Sequence, residues 1–310
     1  MKAITRIEHS LAAAVAASED ASCPPKLAGA IRHAVFPGGA RIRPQLCLAV
    51  ALACGMDDAD LADAAAVSIE FLHCASLVHD DLPCFDDAPV RRGRASVHWA
   101  YGQPLAVLAG DALIVLAFQT LARAAGTSPA RLPGLINIIA NGVGMPSGIV
   151  AGQGWESESR VALSDYQRAK TGALFVAATM AGAQAAGADP TPWRGLGDWL
   201  GEAYQVADDI RDVAADPQLL GKPVGQDALL GRPTAAVELG LCGAIHHFNQ
   251  LIANASASIP ECAGAESLRA LVRMESERLV PLAMSQALLR EAAEASAATA
   301  AATASTAAAA

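Results

Sequence analysis

Apolar residues along this chain recur at helical spacing. Ile4, Ile7, Leu11 and Val15 form one row, Leu46, Val50 and Leu52 a second, and Ile69, Leu72 and Leu77 a third. No succession of short alternating segments marks a sheet. Gly and Pro clusters punctuate the rows at 37–44, 143–148, 189–194 and 217–233. The pattern predicts an all-α, single-domain bundle of about ten helices over residues 1–290, without an internal linker. No fixed-period repeat argues for a solenoid. Residues 291–310 are low-complexity and Ala-rich; they offer no large apolar side chain to dock, and are expected to be a disordered tail.

Composition strengthens the helical reading. About 70 of the 310 residues are Ala, while aromatic residues make up only 4%. Ala is the best helix former and lets helices approach closely, whereas a sandwich or barrel needs more Thr, Tyr, Val and Phe. The net charge of -9 argues against a nucleic-acid partner, which requires clustered Lys and Arg. Seven cysteines, an odd number without a C-x-x-C pair, suit reduced thiols in a cytoplasmic protein. Lys2 and Arg6 precede a short, Ala-dominated apolar run at 11–17, but Glu8 and His9 interrupt the charged end, so a first helix is expected and not a secretory leader. The long apolar run at 105–118 contains Asp111, and no integral membrane segment is expected.

Two acidic clusters change the picture from fold to chemistry. The segment HCASLVHDDLPCFDDAPVRRG holds Asp80, Asp81, Asp86 and Asp87, followed by Arg91, Arg92 and Arg94. Carboxylates this close repel unless cations neutralise them, and hard oxygen donors suit Mg²⁺. Pro83 cannot continue a helix, so unwinding there can bring Asp80 and Asp86 to one mouth. In GEAYQVADDIRD, Asp208 and Asp212 share a helix face, with Asp209 adjacent. Each cluster alone could be a solvated polar turn. Two of them ending apolar helices suggest two walls of one cavity. Basic islands at GGARIRP, AKTGALF and GKPVGQD stand beside glycines that let backbone amides approach phosphate oxygens, which points to diphosphate substrates.

GGARIRP, FLHCASLVHDD, DDLPCFD with RRG, KTGAL, DDIRD and GKPVGQD, in this order from about Phe36 to Pro233, resemble the trans-isoprenyl diphosphate synthases. FPGGARIRP, CASLVHDDLP and AGQGWESES are most similar to the bacterial geranylgeranyl diphosphate synthases of carotenoid and photosynthetic pigment pathways. The resemblance implies the isoprenoid synthase fold, a helical bundle around a central cavity, assembled as a homodimer. It implies an Mg²⁺-dependent prenyltransferase that condenses isopentenyl diphosphate with an allylic diphosphate by ionisation, condensation and proton elimination.

By the same resemblance Asp80, Asp86 and Asp208 hold three Mg²⁺ ions, and Asp81, Asp209 and Asp212 complete the catalytic clusters. Arg91, Lys170 and Lys222 grip the allylic diphosphate. Arg43, Arg92 and His73 take isopentenyl diphosphate, and Thr171 and Gln205 lie near the developing cation. Ala40 stands where family members have Lys, and Gln226 where many do; Arg41, Arg43 and Arg92 are expected to compensate.

Product length in the family depends on the helix that ends at Asp80. Makers of fifteen-carbon product carry a bulky aromatic five positions back, where this chain has Ala75 beside Ser76. Phe71 and Leu72 lie deeper and serve either as a tunnel floor or as core packing. The expected product is the twenty-carbon geranylgeranyl diphosphate; alternatives are another chain length or a non-catalytic partner subunit.

Overall fold

The computed structural model describes residues 3–36, 38–159, 162–214 and 235–281. Thirteen α-helices occur among them: α1 (Ala3–Ala16), α2 (Pro25–Val35), α3 (Ile42–Ala53), α4 (Ala59–Asp80), α5 (Val97–Tyr101), α6 (Gln103–Ala124), α7 (Leu132–Val143), α8 (Ile149–Trp155), α9 (Leu163–Gln167), α10 (Ala173–Ala185), α11 (Arg194–Ala214), α12 (Ala235–Ala257) and α13 (Ala265–Leu279). The all-α reading holds. The excess over ten consists of elements such as α5 and α9, too short to show a helical period.

The bundle is organised around α4 and α10. Helix α4 packs on α3, α6 and α10, and α10 in turn on α3, α7 and α11. Both are apolar around most of their circumference, as expected of helices enclosed by others. Phe71, Leu72 and Ala75 of α4 share one core with Leu113, Leu116, Ile139 and Leu174. Two further cores join α3, α10 and α13, and α11 and α12. Of the spacing rows, Ile7, Leu11 and Val15 are buried, but Ile4 and Leu52 are exposed.

Helices α4 and α6 are long and apolar enough to cross a membrane by length and composition alone. Most of α4, 78% of its apolar window, is enclosed by the other helices, whereas α6 leaves Val107, Leu108 and Val115 on the outside.

One feature escapes the helical reading. Val90–Arg91 and Arg94–Ala95 pair antiparallel as β1 and β2, turning at Arg92 and Gly93, which both have positive φ. That is the conformation of a tight two-residue hairpin. Strands of two residues carry no alternation, so the sequence pattern gave no sign of them.

The start of α4 is fixed by Asp58, whose carboxylate accepts from Leu61 N at 3.0 Å and from the Thr127 and Ser128 hydroxyls at 2.5 and 2.7 Å. Replacing an N-cap aspartate with Ala costs about 0.5–2 kcal/mol, and the two hydroxyls add to that here. Asp58→Ala should lower the unfolding free energy by about 2 kcal/mol in urea melts, with Asp58→Asn losing less. The Thr127 hydroxyl, first among its hydrogen bonds, holds the Asp58 carboxyl below its ordinary value. This contribution is present above the unfolded aspartate pKa and is lost as the pH falls through the folded one. The gap between wild type and Asp58→Ala should therefore narrow in acid.

Candidate active site

The first acidic segment is shaped by the end of α4. The helix stops at Asp80, and the chain curls back so that Asp86 N donates to the Asp80 carbonyl at 3.0 Å and Ala88 N to the Asp81 carbonyl at 3.1 Å. Asp86 thereby lies beside Asp80. Burial pushes the Asp80 carboxyl above its ordinary value; Lys170 opposes the shift and Asp86 adds to it.

Asp81 turns the other way. Its buried carboxylate accepts from Arg91 Nε at 2.8 Å and Nη2 at 2.5 Å, while Arg91 Nη2 stays 4.0 Å from Asp80. Asp81 thus orients an arginine over the mouth. The second acidic segment, on α11, repeats the division: Asp209 is buried and accepts from Gln205 Nε2 at 3.0 Å, whereas the half-buried Asp208 accepts from Arg211 Nη2 at 3.1 Å. Asp212 is buried one turn further on.

Between the walls runs a π-helical turn, Arg168–Gly172. Such turns add a residue to the helical circuit and redirect side chains, often at functional sites. Here consecutive residues reach opposite walls. Lys170 Nζ lies 3.4 Å from Asp80 Oδ1 and donates to Glu156 Oε1 at 2.5 Å, while the Thr171 hydroxyl donates to Gln205 Oε1 at 3.1 Å. Burial alone would lower the Lys170 pKa, but Asp80, Tyr166 and Glu156 outweigh it and keep the ammonium charged. The approach of α11 to this turn depends on glycine, since a Cβ on Gly201 would fall 2.6 Å from Gly172 Cα.

Arginines form the remaining side. Arg43, on α3, is nearly buried, with its guanidinium carbon 4.4 Å from the Phe175 ring centroid and 5.5 Å from that of Tyr204. Its Nε has no hydrogen-bond partner among the described residues. A buried cation with an orphaned donor fits an anionic oxygen. Burial first, then Arg43 and Arg92, hold the His73 imidazole well below its ordinary pKa, so it is neutral at pH 7.

Arg41 departs from its expected role. It is turned beneath the loop, where Nε donates to Glu8 at 2.7 Å, Nη1 to Glu70 at 2.5 Å and Nη2 to the Val35 carbonyl at 2.8 Å. With every nitrogen occupied inside the protein, it cannot stand in for the lysine that Ala40 replaces. Lys222 and Gln226 lie outside the described residues. Phe71, Leu72 and Ala75 are buried along α4, and Ser76 is half-buried. Glu70, Glu156, Tyr166, Phe175 and Tyr204 are absent from the sequence-based set. Glu156, Phe175 and Tyr204 lie within the AGQGWESES, AKTGALF and GEAYQVADDIRD segments, but nothing in those segments singled them out.

The donors at the mouth are all carboxylate oxygens, the chemistry of a hard divalent cation. Among the described residues no three Asp, Glu, His or Cys side chains converge as a closed metal cage. Asp80 and Asp86, side by side with one carboxyl driven upward, are the pair that such a cation would relieve.

The family model for polyprenyl synthetase matches residues 24–265. The geranylgeranyl diphosphate synthase of Cereibacter sphaeroides is 56% identical over 276 residues, covering 89% of this chain and 96% of that one. The enzyme of the same name from Rhodobacter capsulatus is 48% identical over 280 residues, covering 90% and 97%. Among solved structures, a farnesyl/geranylfarnesyl diphosphate synthase from Zymomonas mobilis superimposes with a TM-score of 0.74 at 30% identity, over 88% of this chain and 98% of that one. A geranyltransferase from Helicobacter pylori, complexed with magnesium and isoprenyl diphosphate, gives 0.73 at 27%, over 89% and 97%. With the family match spanning both acidic walls and the turn between them, the chain belongs to the polyprenyl synthetase family.

Proposed function

We propose that this protein is a geranylgeranyl diphosphate synthase, a prenyltransferase that condenses isopentenyl diphosphate with an allylic diphosphate. The observation that carries the reading is the π-helical turn whose Lys170 and Thr171 reach the two acidic walls. The two bacterial relatives of that name, aligned over nearly their whole length, support the same activity.

In this reading Asp80 and Asp86 on one wall and Asp208 on the other hold Mg²⁺, three ions per site. When bound, Mg²⁺ neutralises the diphosphate leaving group and so favours loss of that group as the allylic carbon–oxygen bond breaks. Lys170 and Arg91 bind the same diphosphate from the protein side, and Lys222 belongs with them. Thr171 and Gln205 present oxygen dipoles near the allylic cation without being nucleophilic enough to trap it. Arg43, Arg92 and neutral His73 hold isopentenyl diphosphate with its double bond toward that cation. After the new bond forms, the released pyrophosphate takes the proton.

Chain length follows the rise of α4. Ala75 lies about 7.5 Å below Asp80 and Phe71 about 13.5 Å. A small residue at the first level leaves room for a tail to pass, and the enclosed Phe71 and Leu72 set a deeper limit. Val107, Leu108 and Val115 of α6 leave an apolar strip outside, which supports a homodimer.

Incubation with farnesyl and isopentenyl diphosphates and Mg²⁺ should yield the twenty-carbon diphosphate; only fifteen-carbon product from shorter primers would overturn the length assignment. Ala75→Tyr should shift the product toward fifteen carbons, read by chromatography of the dephosphorylated alcohols, and an unchanged distribution removes Ala75 as a determinant. Asp80→Ala should lower kcat by about 10³-fold, the scale of losing one preorganised charge-stabilising group. Pyrophosphate release within tenfold of wild type would count against Asp80 as a metal ligand.

A further inference from the structure

We infer that Glu70 is a positioning residue for the homoallylic site, fixing Arg92 and the Gly38–Gly39 loop from beneath through a buried network shared with Arg41. The inference rests on the reading that this site takes isopentenyl diphosphate. Glu70 is a buried carboxylate in the middle of α4, and neither acidic cluster includes it. Its Oε1 accepts from Arg41 Nη1 at 2.5 Å and lies 3.9 Å from Arg92 Nη2. One carboxylate thus faces two guanidinium groups that arrive from different elements, Arg41 at the start of α3 and Arg92 in the hairpin turn.

Both arginines adopt positive φ, 52° and 54°, a conformation that non-glycine residues keep only when their surroundings impose it. The loop above depends on them. Gly38 lies directly over the Arg41 guanidinium with no room for a Cβ, and a Cβ on Gly39 would fall 2.9 Å from Arg92 Nε. The two glycines therefore allow the backbone to rest on two cations that Glu70 holds in place. Among the described residues Arg43 has no ion pair within 4.0 Å, and its guanidinium lies over the Phe175 and Tyr204 rings.

Charge reinforces the assignment. Glu8 and Glu70 contribute two negative charges against the three positive ones of Arg41, Arg43 and Arg92, leaving one excess cation for an anionic ligand. Arg41 belongs to the framework, bound by α1, α2 and α4 together. Arg92 is the member that Glu70 can aim at substrate.

A merely structural ion pair would affect stability alone, so the test separates the two Michaelis constants. Glu70→Gln should raise KM for isopentenyl diphosphate by about tenfold while KM for farnesyl diphosphate stays within about twofold, the signature of a lost ground-state contact on one substrate. Glu70→Asp should recover part of the loss. Glu8→Gln touches Arg41 but not Arg92, and should lower the melting temperature with both constants within about twofold. Should Glu70→Gln not fold, Glu70→Asp alone carries the test, because its shorter side chain withdraws the carboxylate from Arg92. An unchanged KM for isopentenyl diphosphate in the folded variant, or an equal rise for both substrates, overturns the inference. Calorimetric titration with isopentenyl diphosphate reads the same loss without turnover. A wild type that binds it and forms no product therefore counts against the enzymatic reading and leaves the positioning claim measurable.

Discussion

Carboxylates gathered at the mouth of an apolar bundle must be neutralised, and the bridge from Lys170 to Asp80 and Glu156 is where this protein begins to do so. Like charges in a low-dielectric cleft raise one another's pKa, as Asp86 does to Asp80. The π-helical turn lies where Lys170 approaches the first wall while its neighbour Thr171 reaches the second. Glu156, supported by the Tyr166 hydroxyl at 2.6 Å, fixes the lysine from the outer side. The mouth is thus preorganised before any ligand enters.

The doubled aspartates follow from helix geometry. Adjacent residues on a helix point about 100° apart, so only one member of an Asp-Asp pair can face a given cavity. In both segments the second aspartate is buried and used internally, Asp81 on Arg91 and Asp209 on Gln205. Each wall thereby couples a carboxylate at the mouth to a partner that orients a neighbouring group. Asp81, grouped with the catalytic set by sequence, acts through an arginine; Asp209 acts through a glutamine that also accepts from Thr171.

Much of the architecture was legible because helices write themselves into sequence at 3.6-residue spacing, and the Ala-rich composition leaves them little alternative. The curl after α4 was legible for a different reason: Pro83 forbids the helix from continuing. What stayed hidden depends on geometry without local period. Nothing in RAKTG distinguishes a π-turn from an ordinary one, and a two-residue strand shows no alternation. Arg41 and Arg43 look equivalent in GGARIRP, yet opposite surroundings separate them. One meets two glutamates and a carbonyl, the other two aromatic rings.

Helix α4 makes these parts commensurate. Glu70, His73, Ala75 and Asp80 sit on one rigid rod, so the buried partner of Arg41 and Arg92, the small residue proposed to border the growing tail and the first acidic wall keep fixed separations set by 1.5 Å per residue. Enclosure by α3, α6 and α10 keeps that rod from shifting. In the proposed reading, a side chain at the Ala75 level alters how deep a tail extends without moving either diphosphate site. Substitutions at Glu70 act, on the inference above, on a different quantity, the aim of the Arg92 guanidinium.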